Sequence, residues 1–464
     1  MSLGTMMSIA AQALKAQQAA IQTAGHNVAN AATPGYSRQK VILETQTPAF
    51  ENGLVLGRGV NATVVRSVVD QFSERWLLDI GGNLGFSTAQ QSALSAIQEA
   101  FPTTGGIDSA LNDFFSSLSD LSNNPSGSAE RIALIGKANA LGASFHRTRS
   151  VLTSIQTNSD QDLQSIAHQV NTLTQEIAAL NQRVAFSQSS NQPDNDARDQ
   201  RQVRLNDLVR LTGATVSEGN GGVVNVTIQG AALVSGSRAA KLDTALGPNG
   251  LHQITIETPD GIQFDGTNSF TNGELGGVLK SRDQVVPDLL NQLDTLAKAL
   301  VDEVNNQHAA GFDYNGNAGG NFFQPIAAVS GAASTMKVDD AIVADPNLIA
   351  AAQNAAGAPG DNQNALALVN LRNVSIAALS NDTAENYLTA ALGNIGEAAK
   401  TIQSSVDFQT GLQTQVQARR DETSNVSIDE EMTNLILFQR AFDASARMIT
   451  TADELYQSLI DMMR

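Results

Sequence analysis

Histidines are the residues of this chain best suited to proton transfer or metal ligation, and there are five: His26, His146, His168, His252 and His308. They are scattered, and no two have the H-x-x-x-H spacing that places a metal-binding pair on one helix face. Solvated or capping roles explain each of them. The segment "DYNGNAGGNFFQ" sets Asp313, Asn315 and Asn317 at positions one, three and five of a calcium loop. Ala318 then stands where the tight turn needs Gly, and Gln324 where a bidentate Glu should be. An Asx/Gly turn cluster accounts for it better. "DNDARDQR", Asp194 to Arg201, offers carboxylates to a metal, but acids in a helix's first turn also complement its dipole. "GRGVNA", Gly57 to Ala62, matches G-x-G-x-x-A yet runs into "TVVRSVV", so it reads as a turn before a strand. No nucleophile elbow and no P-loop occurs. The sequence predicts no enzyme, no cofactor and no metal site.

Composition points the same way. Among 464 residues aromatics make up only 5% and charged residues only 16%, which suits long, thin helical packing with small side chains. The expected fold is mainly α and elongated, with several domains. The net charge of −18 and the lack of any basic cluster argue against nucleic acid, which needs a basic stripe. The absence of cysteine excludes disulfides and thiol chemistry. No segment approaches the roughly 20 apolar residues of a membrane span, and the N-terminal residues lack the form of a cleaved signal.

The elements that organise the chain are at its ends. Leu3, Met7, Ala10, Leu14, Gln17, Ile21, Ala24 and Val28 alternate in steps of four and three, the spacing of a coiled-coil seam. Leu3, Met7, Leu14, Ile21 and Val28 carry it. Ile428, Met432, Leu435, Phe442, Ile449, Tyr456, Ile460 and Met463 repeat the pattern in the last 37 residues. Ser427 and Glu430 have capping-box spacing. Ile436, Leu437, Phe438, Leu455 and Leu459 lie off that seam, as in a helix with several neighbours. Helical spacing is also expected near 84–101, 107–122, 126–186, 196–211, 275–310, 362–379 and 383–423. Between Leu211 and Phe270, β-branched runs separated by Gly, Asn and Asp predict a small inserted antiparallel β domain. The expected division is 1–33 with 425–464, 34–210 with 276–424, and 211–275.

"HNVANAATPGYSRQ", His26 to Gln39, ends the first helix at a Pro-Gly turn. Asn27, Asn30, Thr33, Pro34, Gly35 and Tyr36 resemble the A-N-x-x-T-P-G-Y signature of the bacterial flagellar rod, hook and hook-associated axial proteins. "QRAFDASARMITTADELYQSLIDM" resembles the C-terminal helix of that family. "RIALIGKANAL", "NDARDQR", "AGFDYNGNAGGNFF" and "SNVSIDEE" look like its hook–filament junction branch.

The resemblance implies a structural protein forming a homo-oligomeric ring on the hook. That ring would join hook protein to the second junction protein (hook-associated protein 3) and flagellin. It implies terminal helices unordered before assembly and export through the flagellar type III apparatus to the cell exterior. It also implies a cytoplasmic export chaperone on the C-terminal helix, and no membrane insertion. Longer members carry an outer β domain after the segment matching "GNFF"; here Phe323 leads by a short loop to "AIVADPNLIAAA", which implies its absence. A hook or rod subunit is the nearest alternative. A secreted adhesin is an alternative of another class, and a peptidoglycan hydrolase would need a carboxylate or metal constellation that the sequence lacks.

Overall fold

A computed structural model describes residues 3–51, 54–102, 104–190 and 192–463. The first helix, α1 (Leu3–Asn30), stops at the Pro34-Gly35 turn. The chain then runs into β1 (Gln39–Thr45), which pairs antiparallel with β4 (Val60–Ser67). Between them β2 (Ala49–Glu51) and β3 (Leu54–Leu56) pair as a hairpin tip. The expectation of a strand in "TVVRSVV" holds, β4 beginning slightly earlier at Val60.

The body follows. Asp70 caps α2 (Gln71–Glu99), its carboxylate accepting from the backbone N–H groups of Phe72 and Ser73. That helix starts well before residue 84, where the spacing first looked helical. Gly81, Gly82 and Gly85 blur the periodicity, and a Cβ at Gly85 would strike the carbonyl of Arg210, so the glycine permits close packing. Next come α3 (Ile107–Asn123) and α4 (Ser128–Ser189). The 62 residues of α4 extend roughly 93 Å at the helical rise of 1.5 Å per residue. Then α5 (Asn195–Thr212) ends at Gly213, φ +66°, in the left-handed C-cap conformation.

The inserted β region holds two antiparallel sheets. One has the order β5 (Thr215–Glu218), β6 (Val224–Ile228), β7 (Ala231–Ser235), β8 (Arg238–Ala239). The other is built of β9 (Lys241–Leu246), β10 (His252–Glu257) and β11 (Gln263–Asp265), with β10 central. The expected helix over 275–310 is α6 (Gly273–Lys280) and α7 (Val286–Ala309), joined by a π turn at Ser281–Val285. At that turn buried Arg282 donates to the Asp160 carboxylate at 2.7 Å and to the His252 carbonyl at 2.7 Å. The β region is thereby pinned to α4.

Short helices α8 (Ala332–Thr335), α9 (Asp340–Ala344) and α10 (Gln363–Asn370) punctuate the loop-rich zone. The expected helix over 362–379 breaks at Asn370 into two 3-10 turns. Asn370, Asn373 and β-branched Val374 favour turn over helix there. Finally α11 (Ala384–Ser424) leads into α12 (Ile428–Met462).

The body has two apolar cores in series along α4. Leu134 to Ile155 face α3, α7, the loop around Phe322 and Phe323, and the start of α11. Leu163 to Ala178 face α5, α6 and both sheets. A long spine with successive small cores is what a chain poor in large rings can close. Neither core includes a residue of α1 or α12. Among the described residues no helix is long and apolar enough to cross a membrane.

Candidate functional site: the joint between the terminal helices and the body

The terminal helices pack on each other, joined where the end of α1 meets the start of α12. They are therefore antiparallel. Their buried positions are Ala10, Ala16, Ala20, Thr23, Ala24 and Asn27 on α1, with Glu431, Ser445 and Ala452 on α12. Ala10 and Ala24 lie on the stripe read from sequence, whereas positions 16, 20, 23 and 27, like 431, 445 and 452, keep heptad spacing but stand one residue before it. Small side chains explain the shift: Ala, Ser and Thr let two backbones approach more closely than Leu and Ile would.

The large residues of the expected stripe take flanking positions. Leu3, Met7, Leu14, Ile21 and Val28 are half-buried, as are Leu435, Phe442 and Ile449. Ile428, Met432, Tyr456, Ile460 and Met463 are exposed, together with Ile436, Leu437, Met448, Leu455 and Leu459. In the structure both helices are formed and packed on each other.

A polar latch holds their junction. The Asn27 amide nitrogen donates to Glu431 at 3.1 Å and to the Gln39 carbonyl at 2.9 Å, while its oxygen accepts from the Gln39 N–H and the Tyr36 hydroxyl. Arg38 Nε donates to Glu431 at 2.7 Å, and another of its nitrogens to Glu430 at 3.0 Å. Ser427 caps the Glu430 N–H, but the Glu430 side chain turns to Arg38. Only one arm of the expected capping box is thus made. The Arg38 backbone N–H also donates to the Ser424 carbonyl.

The signature turn docks on α5. Asn30 donates to the His26 carbonyl, and the Thr33 hydroxyl to Asn30, closing the helix end. Gly35 has φ +79°, and any Cβ there would strike Val203 of α5. The Ser37 N–H donates to Asp199 at 2.8 Å, and the Gln39 side chain to Asp196 at 2.8 Å. Burial pushes the Asp199 carboxyl up to about 6, against the opposing effect of the Ser37 bond. Burial, then Asp196, Asp199 and Glu431, raise the Tyr36 phenol. Arg38, Glu431, Asp196 and Asp199 hold the joint; the sequence alone presents Asp196 and Asp199 only as acids of a helix's first turn and assigns Arg38 and Glu431 no role. Arg38 is the first charge after Lys15, a signal that was available.

The segments first considered for chemistry have structural partners. Asp313 accepts from the N–H groups of Asn315 and Asn317, the expected Asx turn. Asp194 caps α5 by accepting from the Ala197 N–H. His308 is buried between the Gly320 carbonyl and the Ala350 N–H, which makes Nδ1 the protonated nitrogen. Burial lowers its pKa to about 4. Among the described residues no group of three or more acidic or histidine side chains is placed to hold a metal.

Residues 94–323 match the model of the flagellar hook-associated protein FlgK helical domain. Residues 7–36 match that of the flagella basal body rod protein, and 417–462 that of the flagellar basal body rod FlgEFG protein C-terminal region. The chain is 30% identical to flagellar hook-associated protein 1 of Bacillus subtilis (strain 168), over 98% of this chain and 98% of the relative. It belongs to the flagellar hook-associated protein 1 family. The Escherichia coli (strain K12) member is 25% identical over 99% of this chain and 100% of its own. The flagellar hook junction protein FlgK from Burkholderia pseudomallei shares the fold, with a TM-score of 0.66 at 18% identity over 76% of this chain and 100% of that one. In this hook-associated chain the two rod-type matches fall on the paired terminal helices and the signature turn. The helical-domain match covers the body from the end of α2 to Phe323. The protein is a structural component of the bacterial flagellum, associated with its hook and filament parts.

Proposed function

We propose that this chain forms a ring at the hook–filament junction and adapts hook protein below to the second junction protein, hook-associated protein 3, and flagellin above. The observation that carries the reading is the apolar face left on α12 after it has paired with α1. Ile428, Met432, Ile436, Leu437, Leu455, Tyr456, Leu459 and Ile460 all stand in solvent. Each large apolar side chain buried stabilises by about 1.5–3 kcal/mol, so this face drives association.

Neighbouring copies cover it in the assembled tube, with Leu435, Phe442, Ile449 and Met463 at the contact. The half-buried Leu3, Met7, Leu14, Ile21 and Val28 extend the same surface. Before export through the type III apparatus to the cell exterior, a chaperone takes the α12 face in a groove, as amphipathic helices bind. Residues 1–33 and 425–464 form the axial layer, 34–210 and 276–424 the outer helical layer, and 211–275 the inserted β domain. The Asn27, Asn30, Thr33, Pro34, Gly35 and Tyr36 turn is the fixed corner between layers. The alignment with the Escherichia coli relative runs to 546 residues against 464 here, which supports the loss of an outer domain.

Deleting the gene tests the reading. Hooks without filaments, with flagellin free in the medium, are the expected phenotype; normal filaments would refute it.

A further inference from the structure

Beneath the joint lies a cavity of about 550 Å³, walled by the signature turn, β4, α2, α5 and the β5–β6 edge. Five arginines line it in a chain whose net charge is −18: Arg66, Arg75, Arg198, Arg201 and Arg420. Arg420 is paired with Glu74 at 2.7 Å. The other four have no carboxylate within ion-pair distance among the described residues. Arg201 is 7% exposed. One of its terminal nitrogens donates to the Asn181 side chain and the Gly222 carbonyl, both at 2.8 Å. Its Nε and its other terminal nitrogen have no acceptor among the described residues, and Arg201 lines the cavity. Arg198 donates to Gln188, while its Nε is buried with no partner.

Burying a guanidinium without a counter-charge is costly. Buried Arg201, with half-buried Arg198 beside it and Arg66 and Arg75 exposed nearby, has that cost only partly relieved inside the chain. The opposing carboxylates of the wall, besides paired Glu74, are Asp199 and Glu218. They leave the cavity net positive, a balance suited to anionic carboxylate groups. Planar carboxylates also match the guanidinium fork.

We infer that this cavity is a binding site for carboxylates, seated on Arg201 and Arg198 and steered by Arg66 and Arg75. The same chemistry is supplied by an acidic segment of a neighbouring protein chain or by a free dicarboxylate.

Isothermal titration of the full chain with a hexaglutamate peptide and with glutarate, each against sodium chloride at equal ionic strength, tests it. Saturable binding of either probe is expected. Hexaglutamate binding at least tenfold tighter supports a protein segment as the natural ligand; comparable affinities support the free dicarboxylate. Arg201→Gln should weaken binding about tenfold or more, the loss of one charge-assisted hydrogen bond. Because Arg201 also ties α4 to the β region, Arg66→Gln and Arg75→Gln provide the folding-neutral check, each weakening binding several-fold. No saturable binding by either probe, or binding undiminished in both Arg66→Gln and Arg75→Gln, overturns the assignment.

Discussion

The terminal helix pair and the helical body solve the problem of burial in opposite ways. The body buries its largest side chains: Phe114 is fully enclosed, its ring centroid 5.5, 6.1 and 5.8 Å from those of Phe115, Phe322 and Phe323. The pair buries Ala, Ser and Thr with a few latched polar groups, and leaves its Leu, Ile, Met and Tyr half-buried or exposed. Stability therefore belongs to the body and association to the pair. The proposed function, a subunit that folds alone and then polymerises, needs both, in separate places.

The sharpest way to break this comparison is to change one phenylalanine in each region. Phe114→Ala should cost the body about 3–5 kcal/mol, the usual loss for a buried ring, read from urea unfolding by circular dichroism. Phe442→Asp on α12 should leave that transition in place while abolishing assembly, followed by sedimentation. Equal losses from both would show that the pair is part of the folding core.

Next in size is the latch. Glu431→Ala leaves Arg38 and buried Asn27 without their shared acceptor, at a cost of about 2–3 kcal/mol. Amide exchange should quicken across α1 and α12 and stay unchanged in α3 and α4. Uniform quickening would mean that the two regions unfold together.

Gly35→Ala comes third, at about 1–2 kcal/mol for a side chain at positive φ, with Val203 obstructing it. Exchange of the Ser37 amide, which donates to Asp199, reports the loss; protection like that of wild type would refute the close docking of the turn.

Acid separates the regions most gently. His308 is held neutral with a pKa of about 4 against an ordinary 6.5, so the unfolded chain binds the proton first. The body should lose stability as pH falls from about 6.5 towards 4, and His308→Gln should remove that loss. Asp199 has the opposite sign, raised to about 6 from 3.8. Its contribution is fully present below 3.8 and lost as pH rises through 6. Wild type should therefore gain on Asp199→Asn as pH falls across that window, in urea titrations at several pH values. A constant difference between the two proteins would show that the joint does not bury the carboxylate.

Much of this was legible in the sequence because it is local. Heptad spacing, the Pro34-Gly35 stop, the Asp194 cap and the Asx turn at Asp313 each depend on a few consecutive residues. The early start of α2 was obscured by Gly81, Gly82 and Gly85, the last of which has the Arg210 backbone packed against it. The latch was missed because Asn27 and Glu431 stand 404 residues apart. A single sequence holds no signal that such residues meet.

By itself the sequence determined that the termini are amphipathic helices of heptad period and that a β region interrupts a helical chain. Period is a property of each helix alone, set by 3.6 residues per turn. Which stripe closes is a property of two helices together. Shifting the contact by one residue turns a helix by about 100°, and the closer approach allowed by Ala16, Ala20, Ser445 and Ala452 selected the small-residue stripe. Only the tertiary structure decided that choice, and with it which large side chains remained outside for a partner.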